Sequence, residues 1–345
     1  MNILAIESSC DETAAAVVKD GVHVLGNAVA TSKDMHEKYG GIVPEVAARA
    51  QLESVIPVIM EATGIKDESS VIDHLIDTID AIAVTQGPGL IGSLLVGVET
   101  AKTMALVTDK PLIPVNHVLA HMYANFVDNS SRIQYPAISL VVSGGHTELY
   151  LMELPKKLKW LGGTLDDAAG ECFDKTARLL GFGHGGGLAI QEAAADYHGQ
   201  KPTVPLPHPI LLGKNEFNFS FSGLKTAIWR EWNKETDHSS PSVGAFAHAV
   251  QEIITGLLVE KTLKAAGRIG VKSILLSGGV ASNLRLREKF REELDFKRLT
   301  IPLFVPPVNL CTDNAAYIAS YAYFRGKKAP WRKVTAVPDL SVESI

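Results

Sequence analysis

The chain has 345 residues, of which 46% are hydrophobic and 21% charged, and carries a formal net charge of −5 at pH 7. That length spans about two domains, and the composition is that of a globular chain with a sizeable core. The negative total excludes a nucleic-acid signature for the chain as a whole, so any RNA contact must use a local patch or a partner.

In chain order, Asn2 to Glu7 is a short apolar run, residues 8–13 (Ser-Ser-Cys-Asp-Glu-Thr) are polar, and Ala14 to Val18 is apolar again, which reads as strand, turn, strand. A third strand, Val22 to Val29, follows the Asp20-Gly21 turn. After the glycine-bearing loop 35–41, Pro44 opens a helix from Glu45 to about Met60. Asp80 to Thr85 reads as a buried strand. It runs into Gly87-Pro88-Gly89-Leu90-Ile91-Gly92 and a helix through Ala105, then strand 112–115 and a helix carrying His117. Residues 128–131 form a polar linker.

The pattern then repeats. Ala137 to Val142, the polar turn Ser143-Gly144-Gly145-His146-Thr147, and Glu148 to Met152 read again as strand, turn, strand. Helices are expected over 166–180, 187–198, 222–234 and 243–269, with a proline-rich loop at 202–209. Strand 273–276, the glycine loop 277–283, helix 284–294, strand 301–305 and helix 312–325 close the half. The expected fold is therefore α/β: two duplicated domains, 1–131 and 132–311, facing each other across a central cleft. The second holds a helical insertion over about 166–270, and the closing helix, about 312–330, is able to pack back on the first. Ligands in such folds gather at the loops after the strands.

Three widely spaced cysteines, Cys10, Cys172 and Cys311, contain no CxxC pair, so they suggest neither a disulfide framework nor a thiolate zinc site and fit a reducing compartment. The start has no basic segment, and Glu7 interrupts its first apolar run, so a signal peptide is not expected. No run of about 18 apolar residues is evident, so no membrane span is expected and a cytoplasmic protein is.

His117 and His121 stand four residues apart. On a helix their rings leave one face, with Cβ atoms about 5–6 Å apart, a gap that two metal–nitrogen bonds span. Ordinary core or surface histidines remain the alternative. The residue after the first histidine is Val118 rather than the glutamate of a zincin, so peptide hydrolysis is disfavoured. Asp313 is the candidate third ligand, in the same place of its half as His117; a plain N-cap is its alternative. Two histidines and a carboxylate suit iron(II) or zinc. Gly87-x-Gly89-x-x-Gly92 matches a dinucleotide fingerprint literally, but the next strand ends in Asn116-His117 rather than an acid, so close packing is the preferred reading. No P-loop motif occurs. The two polar turns, 8–13 and 143–147, are the better anion nests. The Gly278-Gly279 loop offers a seat for adenine or ribose, with Asn283 as a hydrogen-bonding group. Asp166-Asp167 reads as an N-cap, Cys172 as a core residue, and His36, His146 and His184 as loop histidines in surface or supporting roles. Residues 325–333 concentrate five positive charges beside Trp331, an RNA patch or a solvated tail.

Taken together the motifs resemble the TsaD family, the tRNA adenosine threonylcarbamoyltransferases of the actin-like ATPase (ribonuclease H-like) superfamily. The resemblance rests on residues 5–13, 36–45, 87–97, His117-x3-His121, 141–147, Glu171-x-Phe173-Asp174-Lys175, 219–226, Gly278-Gly279-Val280-x-x-Asn283 and 311–314, in order along the chain. It implies that His117, His121 and Asp313 hold an iron or zinc ion. It implies that Val141, Val142, Ser143, Gly144, Gly145, Asp174, Gly187 and Asn283 hold an adenylate, and that Asp11 assists the chemistry or phosphate placement. The implied reaction moves a threonylcarbamoyl group from threonylcarbamoyl-adenylate to the exocyclic amine of the adenosine next to the anticodon, in tRNAs reading codons that begin with A. The implied partners are tRNA, a shorter actin-like paralogue and a small P-loop ATPase. The glycine loop 183–187 lacks the proline of many members, and Gln191 stands where some carry an acid, so no charged ribose contact is expected there. The rivals are a small-molecule kinase of the same fold and a non-catalytic nucleotide-binding scaffold.

Overall fold

The structure, a computed structural model, describes residues 1–36, 39, 41–183, 186–199, 204–209, 211, 213–236 and 238–342. Residues 37, 38 and 40 of the first glycine-bearing loop, His184 and Gly185 of the second, and 202–203 of the proline-rich loop lie outside the described residues. The chain divides into two units, Met1–Ile133 with Thr312–Ile345, and Gln134–Cys311.

The strands are β1 (Asn2–Glu7), β2 (Glu12–Lys19), β3 (His23–Thr31), β4 (Ala81–Gly87), β5 (Leu112–Asn116), β6 (Ala137–Val142), β7 (Thr147–Leu154), β8 (Lys157–Gly163), β9 (Ser273–Ser277) and β10 (Leu303–Phe304). The helices are α1 (Lys33–His36), α2 (Pro44–Thr63), α3 (Val71–Thr78), α4 (Ile91–Thr108), α5 (His117–His121), α6 (Ala169–Leu179), α7 (Gly186–Ala195), α8 (Ser222–Trp232), α9 (Ser240–Ile269), α10 (Leu284–Phe296) and α11 (Ala316–Phe324).

The first unit orders its sheet β3-β2-β1-β4-β5 and the second β8-β7-β6-β9-β10. In each, three antiparallel strands are followed by two added in parallel. One topology thus occurs twice, and it is that of the actin-like ATPase fold. β4 is almost wholly buried, as a parallel strand covered on both faces must be. Side chains alternate across the sheet. Leu4, Ile6, Ile82 and Val84 enter the core under α2 and α4. The odd-numbered side chains of β1 and β4, Glu7 and Thr85 among them, therefore face the other side, which α11 covers. α2 starts on Pro44 and stops at Gly64, whose φ of 73° lets its N–H close onto Met60 and Glu61 carbonyls.

The expected and observed elements differ in places. β8 and α3 were not expected: β8 is a partly exposed edge strand with lysines at 157 and 159, and α3 has only eight residues. α6 starts at Ala169 instead of 166, because Asp166 caps a different helix. Its carboxylate accepts the backbone N–H of Phe221 (2.7 Å) and Ser222 (3.2 Å) and the hydroxyls of Ser220 and Ser222, at the start of α8. Asp167 ion-pairs with Lys175 and Lys225. Cys172 lies in the core of the second unit. By length and composition alone, Ile91–Thr108 and Pro241–Ile269 are apolar enough to cross a membrane, unlike the expectation from the sequence. In the structure they are packed helices, 50% and 72% buried over those windows.

Candidate metal centre and nucleotide loops

β5 ends on Asn116, whose side-chain oxygen accepts the N–H of Leu119 at 3.0 Å and starts α5 immediately after the strand. His117 is thereby the first helical residue and His121 lies one turn on, with ring centroids 4.7 Å apart. Both are buried. Asp313 arrives on the segment before α11. Its Oδ1 lies 3.8 Å from His117 Nε2 and 3.5 Å from His121 Nε2. One potential ligand atom from each of the three residues falls within 4.8 Å of the others. Tyr317, one turn later on α11, donates its hydroxyl to Asp313 Oδ1 at 3.3 Å and packs its ring 4.6 Å from that of His121. Asp313 precedes the helix by three residues, and Ala315 holds the N-cap position.

Glu7 stands behind His117. Its Oε2 lies 3.0 Å from His117 Nδ1 and accepts the Thr85 hydroxyl; its Oε1 accepts the Ser9 N–H at 2.6 Å. Ser9 Oγ is 3.3 Å from the same Nδ1. Burial works against charge on Glu7, but His117 and these donors outweigh it and hold the carboxyl below its ordinary value. Burial likewise disfavours the imidazolium of His117, and the charges of Glu7 and Asp313 overcome that and carry it up to about 9. Burial and then Asp313 and Asp11 push Glu12 up to about 8. Burial also raises Asp313, with His117 opposing. Glu7, Asp11 and Glu12 are buried beside Asp313, and the Lys33 ammonium lies 2.6 Å from Glu12. The donor set and this surplus of carboxylates suit a divalent cation.

Asp11 belongs to the same unit, in the β1–β2 turn, where its carbonyl accepts the N–H and hydroxyl of Ser32. The carbonyls of that turn are largely committed: Gln51 Nε2 donates to Cys10 O and Glu12 O, and Leu90 N–H to Ser9 O. His36 is buried rather than a surface residue; Nδ1 accepts the Val43 N–H and Nε2 lies 3.1 Å from Ser32 Oγ. The fingerprint glycines are sites of close approach. A Cβ on Gly87 would strike Val337 O, one on Gly89 would strike Ser9 O, and one on Gly92 would stand 3.1 Å from Ala48 Cβ.

In the second unit Val141 and Val142 end β6, and Ser143, Gly144 and Gly145 make the turn to β7. Ser143 spends its N–H on His146 O, at 2.8 Å, inside the turn. Two other elements meet this turn through glycines. Gly278, at φ 91°, brings the loop after β9 against Val142, and Gly170 brings α6 against Ser143. Gly186 lets α7 approach α6 at Asp174, and a Cβ on Gly187, Gly144 or Gly145 would meet nothing within 4 Å. Asn283 caps α10 by accepting the Leu286 N–H at 2.9 Å, and donates to Gln251 at 3.0 Å. Gln191 accepts the Leu284 N–H at 2.7 Å, so it braces the same loop.

The basic segment is docked, not loose: Ala329 bridges Leu112 of β5, and Val334 is buried. Lys327, Lys328, Arg332 and Lys333 point outward, Arg332 lying 4.3 Å over the Trp331 ring.

Sequence reasoning missed Glu7, Thr85 and Tyr317. The signal for Glu7, a carboxylate at the end of an otherwise apolar strand, acquires its meaning only with the order of β1, β4 and β5.

A duplicated actin-like fold carrying a His-His-Asp cluster defines an α/β protein with a candidate metal centre. Solved structures support the fold: full-length HypF in a phosphate- and nucleotide-bound form matches 94% of this chain and 46% of its own length, at TM-score 0.61 and 12% identity. Component A of the Acidaminococcus fermentans (R)-2-hydroxyglutaryl-CoA dehydratase matches 94% and 98%, at TM-score 0.53 and 16% identity. The family model of the tRNA N6-adenosine threonylcarbamoyltransferase, TsaD, matches residues 23–320. Proteins of that name from Syntrophomonas wolfei (48% identity, covering 93% of this chain and 91% of the relative), Persephonella marina (45%; 95% and 91%) and Listeria innocua (42%; 99% and 97%) are similar over almost the whole chain. The chain belongs to the tRNA N6-adenosine threonylcarbamoyltransferase family, and is a transferase that modifies tRNA adenosine.

Proposed function

We propose that the chain transfers the threonylcarbamoyl group of threonylcarbamoyl-adenylate to the exocyclic amine of the adenosine next to the anticodon, in tRNAs reading codons that begin with A. The observation that carries the reading is the cluster of buried His117 and His121 with the partly exposed Asp313, and Glu7 behind it. We assign iron(II) or zinc to that cluster. Such an ion, when bound, polarises a carbonyl or orients the carbamoyl group, a contribution of several kcal/mol.

The remaining roles fall to side chains and backbone. Val141, Val142, Ser143, Gly144, Gly145, Asp174, Gly187 and Asn283 hold the adenylate. The open space over Gly144, Gly145 and Gly187 supports this, because it lets a ligand approach the backbone closely. Asp11 assists the chemistry or the placement of phosphate. In the transfer, the amine nitrogen bonds to the carbamoyl carbon, the bond from that carbon to the adenylate phosphate oxygen breaks, and the amine loses a proton as AMP departs. Backbone N–H groups of the turns stabilise the departing phosphate. A shorter actin-like paralogue and a small P-loop ATPase act with the chain, in the cytoplasm, and the 325–333 segment contributes to tRNA contact.

The test is mass spectrometry of tRNA nucleosides after incubation with threonylcarbamoyl-adenylate and the chain, with and without the two partners. Threonylcarbamoyladenosine is expected from the parent chain, and His117→Ala is expected to lose both metal and product. Full activity in a metal-free His117→Ala protein would overturn the metal role; ATP-dependent phosphorylation of a small molecule in its place would favour the kinase.

A further inference from the structure

The geometry points to Glu7 as a positioning residue that fixes the ring of His117 with Nδ1 protonated, so that Nε2 is the nitrogen presented to the ion. The inference rests on the metal role proposed above. It starts from strand parity. Glu7 and Thr85 lie on the α11 face near the ends of neighbouring parallel strands, and His117 follows the next strand, so the three meet at the carboxyl edge of the sheet. Glu7 is fully buried, which a carboxylate tolerates only when its oxygens are satisfied. They are: Oε1 takes the Ser9 N–H at 2.6 Å, and Oε2 takes the Thr85 hydroxyl and faces Nδ1 at 3.0 Å. Ionised, this carboxylate only accepts, so the proton between it and the imidazole sits on Nδ1. The other ring nitrogen is then the one that yields its proton to an ion, and it is the one on the Asp313 side, 3.8 Å from Oδ1. A carboxylate behind a ligating imidazole orients the ring and raises its basicity.

Glutamine at position 7 is nearly isosteric but cannot reproduce the pattern. With its oxygen toward His117 and Thr85, its amide meets the Ser9 N–H, donor against donor. Flipped, the amide meets Nδ1 and drives the proton to Nε2, where it blocks the ligand position. Aspartate keeps the charge on a shorter stem.

The experiment uses the full chain, stripped with a chelator and reloaded with Zn²⁺. Zn²⁺ affinity is measured by competition with a chromophoric chelator, and the ring state of His117 by two-bond ¹H–¹⁵N correlation on histidine-labelled protein. The zinc-loaded parent should show His117 protonated on Nδ1 and bound through Nε2. Glu7→Gln should bind Zn²⁺ about 10–100-fold more weakly, the range for lost partners of ligating histidines, with Glu7→Asp between it and the parent. Zinc bound through Nδ1 in the parent overturns the inference and needs no variant to fold. Equal affinity in parent and folded Glu7→Gln overturns it and leaves the metal role standing. A parent chain that takes up no zinc overturns both.

Discussion

Gly278→Ala tests whether the loop after β9 and the turn after β6 form one built unit. Gly278 has φ 91°, in the left-handed region, and an added Cβ would press on the Val142 carbonyl, 2.7 Å from its carbon and 3.1 Å from the Val142 nitrogen. These are backbone atoms of a buried strand and cannot rotate away. A non-glycine residue in that region costs about 1–2 kcal/mol. Relieving the overlap adds about 1–3 kcal/mol, and the stiffer unfolded chain returns about 0.4–1 kcal/mol. The net is a destabilisation of roughly 1–4.5 kcal/mol, or about 2–18 °C in the melting temperature of a unit this size. Gly279→Ala is the control: its Cβ meets nothing within 4 Å, and no left-handed φ applies. The strain enters at Val142, next to Ser143, so a second readout is available. If that turn holds the adenylate, AMP affinity by titration calorimetry should fall about tenfold in Gly278→Ala, a loss of about 1.4 kcal/mol, and stay near parental in the control. Calorimetric melting checks the packing and the titration checks the ligand role. Melting temperatures within about 1 °C for the two variants would refute the packing argument; a destabilised Gly278→Ala with parental AMP affinity would refute the ligand argument alone.

Replacing Lys327, Lys328, Arg332 and Lys333 by glutamine is expected to weaken tRNA association and flatten its salt dependence, each lost phosphate contact removing about 0.7–0.9 from the log–log slope; an unchanged slope by filter binding would exclude this segment as the RNA patch. For Glu252, burial favours the neutral acid, but Arg285 at 2.5 Å and Lys289 at 2.7 Å hold the carboxyl down at about 2. A group depressed on folding adds stability above its ordinary value of 4.5 and loses it as pH falls toward 2. Allowing for its partial exposure, Glu252→Gln should lower the stability of the second unit by about 1–2 kcal/mol at pH 6. The gap should close between pH 4.5 and 2, as urea unfolding at several pH values would show; a pH-independent gap would mean that packing, not charge, sets it.

The order of strands and glycine loops was legible because it is carried by local signals that nothing distant overrides. Apolar runs with turn residues between them reappeared as five-stranded sheets with one topology. What escaped were elements with weak local signals. β8 alternates lysine with apolar residues because it is an edge, so no apolar run marks it. Asp166 reads as the cap of the helix that follows it, yet hydrogen-bonds the start of α8, more than fifty residues away. Side-chain capping depends only on which N–H groups arrive, and sequence distance does not record that.

The candidate site divides along the same line. His117 and His121 were visible because helix geometry makes a four-residue spacing meaningful, and Asn116 supplies the cap that starts the helix at the first of them. Glu7 has one partner close along the chain, the Ser9 N–H, but its contacts with Thr85 and His117 cross 78 and 110 residues. Alone, a glutamate ending an apolar strand reads as the point where the strand meets water. The reading reverses once β1, β4 and β5 are known to be adjacent and parallel, because parity then sets Glu7 and Thr85 on one face and delivers His117 beside them. The topology was predictable from the repeat, and the parity follows from the topology. A buried carboxylate behind the first histidine is therefore a consequence of strand order, and the physical reason it can stay charged is that three strands end where its oxygens need donors.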